Sequence, residues 1–303
     1  MKGTSTHTAP FANAALPDDA RDGALIEAAL AGSGAALNAL LVRHQDWLYN
    51  VALKMCLSPA DAEDLTQEAL IKIVTKLGQF GGRASFRTWA YRIALNHYLT
   101  VKARPMEGAV TSFAAYDDDL DRIPDQDPSV LDEMAQDELI AEAKVSCLSG
   151  MLLCLDRQQR LTYILGELFG ADHRVGAELL DITPANFRKR LQRARADLRA
   201  FMQGRCGLVD PANPCRCARK TAGFIAAGWV DPKAMRFRTA YTQTIAERLP
   251  EKVDQLDALA EALPHDLQRD TPFQEKPIAA RALRLLLADR GIRELFSLDD
   301  QTN

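Results

Sequence analysis

A chain of 303 residues with 47% hydrophobic and 26% charged side chains has enough apolar content to bury a core, which excludes a disordered polyelectrolyte. No apolar run reaches the roughly 18 residues of a membrane span, and six irregularly spaced cysteines are not a disulfide framework, so a reducing cytoplasm is the expected compartment. The net charge of −4 hides an asymmetry: Glu107 to Glu142 holds twelve acidic residues against Arg122 alone, and Pro184 to Arg205 seven basic residues against Asp197 alone, a polarity that suits a basic element for a polyanion and an acidic spacer.

In chain order, residues 1–22 are polar, lack a basic region followed by an apolar block, and read as a disordered leader without a signal peptide. Helical periodicity then dominates and no strand pattern stands out, so an all-α fold is expected. A helix, a Gly-Ser-Gly break and a longer helix fill Gly23 to Cys56. Ser58-Pro59 opens the next helix, with Ser as N-cap and Pro at the first helical position. On that helix Leu65, Ala69, Leu70, Ile73, Val74 and Leu77 group on one face. Opposite them Asp64, Gln67, Glu68 and Ile71 form a strip that one partner helix can cover. A solvated face with one stray Ile competes evenly with that reading.

The Gly-rich loop GQFGGRAS follows, and Ser85 caps a helix beginning FRTWAYR. Phe80, Arg83, Phe86, Arg87, Trp89, Tyr91 and Arg92 interleave aromatic and basic groups, the chemistry that holds unstacked bases. Trp89 reads better as core. A helical bundle is thus expected over 23–104, an acidic linker over 105–130, and helices again over 131–203.

The segment HRVGAELLDITPANFRKRLQRARADLRAF reads as a short helix, a tight turn and a longer helix started by Thr183-Pro184. Phe187, Leu191, Ala194 and Leu198 make one continuous apolar face. Asn186, Lys189, Gln192 and Arg193 lie on the other side, flanked by Arg188, Arg190 and Arg199. Such polar groups read base edges in a major groove, while flanking arginines neutralise phosphates. Basic runs alone favour an ordinary solvated helix, but the helix-turn-helix order reverses that preference.

Residues 204–303 form a cysteine-containing extension, with helical patterns at 221–229, 232–249, 252–263 and 276–289. Cys206, Cys215 and Cys217 are spaced C-x8-C-x-C, which is not a standard zinc signature. Three readings stay open: zinc held by these thiols with a water or distant ligand, a redox-responsive cluster whose thiolates Arg205, Arg216, Arg219 and Lys220 favour, or a structural turn.

DAEDLTQEALIKIVTKLGQFGGRASFRTWAYRIALNHYL closely resembles the second region of extracytoplasmic-function (ECF) sigma factors of bacterial RNA polymerase, and LLCLDRQQRLTYILGELFGADHRVGAELLDITPANFRKRLQRARADLRA resembles their fourth region. Together these blocks cover somewhat over 120 residues, in the family's order, with a linker between them. The resemblance implies a promoter-specificity subunit with core RNA polymerase and promoter DNA as partners and no required cofactor. It assigns Asp64, Gln67, Glu68 and Ile71 to the clamp coiled coil of the largest subunit, and the fourth region to the flap of the second-largest. Gln79, Arg83, Ser85 and Phe86 would capture a flipped base of the −10 element, with Arg87 and Arg92 on its backbone. Asn186, Arg188, Lys189, Arg190, Gln192 and Arg193 would read the −35 element. The resemblance also admits an anti-sigma factor as a further partner, with no membrane attachment. Asp181 stands where the family usually has Gly, and Asp tolerates the left-handed backbone such a turn needs.

The sequence shows no nucleophile–base set, phosphate-cradling loop or HExxH, so an enzyme is not expected. The alternative is a stand-alone helix-turn-helix regulator whose first bundle only dimerises; such a regulator needs neither the acidic strip nor the aromatic-basic loop.

Overall fold

The computed structural model describes residues 19–110, 112–131, 135–233 and 278–288. Among them every regular element is helical, apart from one isolated bridge between Cys206 and Cys215. The helices expected over 232–249 and 252–263 lie outside the described residues, save for a turn at 232–233.

The chain divides into two units. The first comprises residues 1–104, 169–188 and 273–303. It opens with α1 (Asp19–Leu30), which begins inside the stretch expected to be a disordered leader. The reason is Asp22, a carboxylate fully shielded from solvent whose buried charge is neutralised by Arg43 at 2.8 Å, with His44 Nε2 3.2 Å away. Ser33 accepts the Ala36 amide and starts α2 (Gly34–Cys56). This helix ends at Leu57, whose φ of 55° breaks the helical path. Ser58 caps α3 (Pro59–Thr75) by accepting the Asp61 amide at 3.3 Å. A 3-10 turn at Leu77–Gln79 leads to the glycine loop, and Ser85 caps α4 (Phe86–Thr100) through the Thr88 amide.

The core between α2, α3 and α4 follows from the apolar spacing: Leu48, Val51, Ala52 and Met55 meet Leu65, Leu70 and Val74, and Ala90, Ala94 and Leu95 complete it. The buried Tyr98 hydroxyl donates to the Leu48 carbonyl at 3.1 Å, satisfying its polar tip. Trp47 stacks on Tyr91 with ring centroids 3.8 Å apart.

The second unit comprises residues 105–168 and 189–272. The stretch expected to be a linker carries α5 (Pro105–Ala109) and α6 (Phe113–Arg122). Tyr116, Leu120 and Ile123, spaced by four and three, are buried there, an apolar face that the clustered aspartates obscure in the sequence. After α7 (Gln136–Leu153) and α8 (Arg157–Tyr163), a π-helical turn spans Ile164–Leu168. Arg160 is buried beneath the end of α7, donating to the carbonyls of Leu152, Leu153 and Leu155 and pairing with Glu107 at 3.0 Å. It satisfies carbonyls that a helix end otherwise leaves unpaired.

The helix-turn-helix follows as α9 (His173–Leu180) and α10 (Pro184–Arg205). Its turn holds Asp181 at φ 54° and ψ 46°, the left-handed conformation expected of it, and Thr183 caps α10 by accepting the Asn186 amide at 3.2 Å.

No boundary falls after Gln203, where an appendage was expected to begin. Residues 204–233 belong to the second unit: α11 (Cys217–Ala226) packs on α7, and Trp229 stacks on Phe224 and on Tyr116. Lys220 buries its ammonium group against the Leu120 carbonyl at 2.9 Å and the Ile123 carbonyl. The described remainder of the extension, α12 (Ile278–Ala288), packs in the first unit against α2 and α3.

Candidate nucleic-acid interface

The glycine loop and the exposed side of α4 enclose a cavity of about 520 Å³. Gln79, Phe80, Gly81, Arg83, Ala84, Trp89, Arg92, Ile93 and Asn96 line it. Gly82, at φ 65°, lets the loop turn back over the cavity with a backbone that L side chains rarely adopt. Gln79 and Arg83 are exposed at the rim. Ser85 is committed to the helix start, since its hydroxyl accepts the Thr88 amide and donates to the Thr88 hydroxyl, both at 3.1 Å.

Phe86 is not a cavity residue. It is only 4% exposed and packs on His44 and Phe80, with centroids 5.3 and 5.6 Å away. The aromatic walls are Phe80 and the half-buried Trp89, 5.4 Å apart, so the placements expected of Phe86 and Trp89 are exchanged. The physical reason is register: the helix begins at Phe86, which points its ring into the bundle, while Trp89, Arg92, Ile93 and Asn96 recur at helical spacing along the cavity side. That spacing was the available signal for Ile93 and Asn96, which sequence reasoning missed.

Arg87 is half-buried. Arg92 pairs with Asp181 at 2.5 Å, a contact exposed enough to contribute little to stability.

On α3 the expected outer strip is uneven. Asp64 is exposed, Ile71 is half-exposed, and Glu68 binds His97 at 2.8 Å and Arg104 at 3.3 Å. Burial pulls the His97 imidazole below its ordinary pKa against the opposing pull of Glu68. Gln67, expected on the outside, is only 9% exposed, and its Oε1 is buried without a hydrogen-bond partner.

On α10, Phe187, Leu191, Ala194 and Leu198 are all buried, as their spacing requires. Asn186, Arg188, Lys189, Gln192 and Arg193 are exposed, and Arg190 is half-buried. The motif depends on Gly176 in α9: a Cβ there would come within 2.3 Å of the Phe187 ring. What reads in the sequence as a poor helix former is the seat of the next helix's first core residue.

The cysteine stretch is a tied loop. Asn213 donates to the carbonyls of Gln203 and Cys206, and Arg216 to those of Pro211, Asn213 and Cys215. Cys147 of α7 lies within electrostatic reach of Cys206, Cys215 and Cys217, a neighbour the sequence spacing does not disclose. Among the described residues no group of three or more His, Cys, Asp or Glu is arranged to hold a metal ion. The expected lowering of thiolate pKa by basic neighbours is overturned, because burial outweighs them. Desolvation raises Cys206 and Cys215 above the ordinary thiol value and Cys217 to about 12. Arg205, one of the expected activators, favours the Cys215 thiolate less than burial opposes it, and also pairs with Asp117 at 3.0 Å and with Asp121.

The family model for Sigma-70 region 2 matches residues 40–103, the stretch that holds α3, the glycine loop and α4. The ECF RNA polymerase sigma factor SigE of Mycolicibacterium smegmatis is 27% identical over 213 residues, covering 66% of this chain and 79% of that protein. The ECF RNA polymerase sigma-E factor of Haemophilus influenzae is 28% identical over 185 residues, 59% of this chain and 94% of its own length. These matches support an ECF sigma factor. The second of these alignments takes in nearly all of the relative. Sigma factors are transcription initiation factors and not enzymes. Among the described residues none of the chain's helices is long and apolar enough to cross a membrane.

Proposed function

We propose that this sigma factor docks on the clamp coiled coil of core RNA polymerase through α3, with its fourth region on the flap, and directs the enzyme to promoters in the cytoplasm. Asp64, Glu68 and Ile71 offer two carboxylates around an apolar centre, a pattern that fits one basic, amphipathic partner helix. Gln67 joins them only if its shielding is relieved.

At the −10 element an unstacked base enters the cavity that Phe80 and Trp89 line. Both rings supply stacking surface, and the amides of Gln79 and Asn96 are suited to its hydrogen-bonding edge. Arg83, Arg87 and Arg92 neutralise the flanking phosphates, Arg92 once its bond to Asp181 opens. At the −35 element α10 presents Asn186, Lys189, Gln192 and Arg193 to base edges, and Arg188 and Arg190 to phosphates. The cysteine loop holds the end of α10 as a structural turn, supported by its carbonyl ties and by thiols that burial keeps protonated. No metal or other cofactor is required for this role.

The observation that carries the reading is the aromatic, arginine-rimmed cavity formed by the same segment that matches Sigma-70 region 2. Promoter-directed transcription with purified core polymerase tests it. The chain is expected to support initiation at a subset of promoters, and Trp89→Ala to suppress strand opening while Phe86→Leu retains it. Equal opening by the Trp89→Ala chain would remove the cavity from the mechanism.

A further inference from the structure

The extension returns to the bundle at a place that matters for docking. Helix α12 lies against α2 and α3, with Ile278, Ala279 and Ala282 buried. Gln45 of α2, itself buried, accepts the Ala279 amide at 2.7 Å and so serves as a borrowed cap for the first turn of α12. Two residues further, Arg281 approaches Asp64, the first acidic residue of the docking strip, with 3.9 Å between nitrogen and oxygen.

The contact is built to be given up. Among the described side chains of α12 the buried ones are Ile278 and two alanines, Ala279 and Ala282, and Leu285 is half exposed. The Arg281–Asp64 pair is more than half exposed on both sides, so water screens it. On the same strip the Gln67 oxygen is buried with no hydrogen-bond partner, an unfavourable state that a rearrangement of the strip's surroundings can relieve. Helix α12 also has the character of a ligand for an acidic strip: an apolar face with Arg281 and Arg284 exposed beside it.

We propose that α12 is an internal competitor of core polymerase, an autoinhibitory helix that occupies the flank of the α3 strip and must leave before the clamp helix seats. The proposal rests on the reading of that strip as the polymerase-docking site. It assigns the end of the extension a regulatory role that depends on displacing a helix and on no chemistry at the cysteines.

The test uses the full chain. Ala282→Glu places a carboxylate in the buried seat of α12 and expels the helix, which hydrogen exchange at the Ala279 amide registers directly. Affinity for core polymerase is read by fluorescence anisotropy, in the wild-type chain, in Ala282→Glu and in Ile71→Asp. If α12 is seated in about nine chains of ten, its release tightens apparent binding about tenfold. The expected result is that Ala282→Glu deprotects Ala279 and gains this factor, while Ile71→Asp loses binding with Ala279 still protected. Deprotection with unchanged affinity, or an unprotected Ala279 in the wild-type chain, overturns autoinhibition and leaves the docking strip intact if Ile71→Asp still fails. Wild-type affinity in Ile71→Asp overturns the strip, and the competitor with it.

Discussion

Single residues carry separable consequences, for DNA reading at Arg193 and for stability at the buried thiols. Arg193 sits exposed on the polar side of α10, one turn from Lys189. If Arg193 reads a base edge, as proposed, Arg193→Ala is expected to cost about 1–3 kcal/mol at one promoter position. Binding measured across a set of −35 variants checks this, since a phosphate contact would weaken all of them equally. The thiols give a pH dependence of known sign. Burial holds Cys154 and Cys217 at about 12, so the folded chain keeps protons that the unfolded chain releases near its ordinary thiol value. Stability carried this way is complete below about pH 8.5 and is lost as the pH climbs toward the folded values. Urea midpoints are therefore expected to fall between pH 8 and 10. Cys217→Ser should shrink that fall by up to roughly 1.4 kcal/mol per pH unit. A midpoint that held steady to pH 10 would mean that these thiols ionise as freely in the fold as outside it.

At the scale of elements, the helix-turn-helix shows how two helices are joined through one missing side chain. Gly176 leaves room for the Phe187 ring, and Phe187 is the first residue of the buried face of α10. Gly176→Ala is expected to destabilise the motif by about 1–3 kcal/mol, because the added methyl overpacks against an aromatic ring. It should weaken −35 binding and leave polymerase docking by α3 unchanged. Gly204→Ala is the control: nothing lies within 4 Å of a Cβ there, and replacing a glycine inside a helix should stabilise by about 0.4–1 kcal/mol. Thermal unfolding of both variants separates crowding from helix propensity. The same elements show what the sequence could disclose. Caps at Ser58, Ser85 and Thr183, the left-handed Asp181 and the apolar face of α10 all depend on neighbours within a few residues, and local spacing expresses them. Phe86 and Trp89 depend on which side of α4 meets the bundle, a tertiary matter that two nearby aromatics cannot decide alone. Cys147 is some sixty residues from its thiol neighbours, so no motif spacing contains it.

At the scale of the molecule, the extension is two things that the sequence presents as one. Its first thirty residues are structural. Lys220 caps carbonyls of the α6 region, and a Cβ at Gly223 would come within 2.4 Å of Ile123. Trp229 lies parallel to Tyr116, whose hydroxyl reaches the Cys147 carbonyl at 3.0 Å. A chain ending at Gln203 strips this cover from α6 and α7 and exposes Tyr116, Leu120 and Ile123, apolar side chains worth about 1.5–3 kcal/mol each when buried. A chain ending at Lys233 keeps the cover and removes α12 alone among the described helices. The two truncations should therefore diverge. The shorter is expected to unfold at lower urea and to lose promoter binding, whatever its affinity for polymerase. The longer should melt with the cooperativity of the full chain and bind core polymerase more tightly, since the α3 strip has lost its internal occupant. Denaturation and core-binding measurements on both chains check the division. If the shorter chain matched the longer in stability, residues 204–233 would be dispensable to the second unit. If both bound polymerase as the full chain does, the extension's end would have no hold on docking.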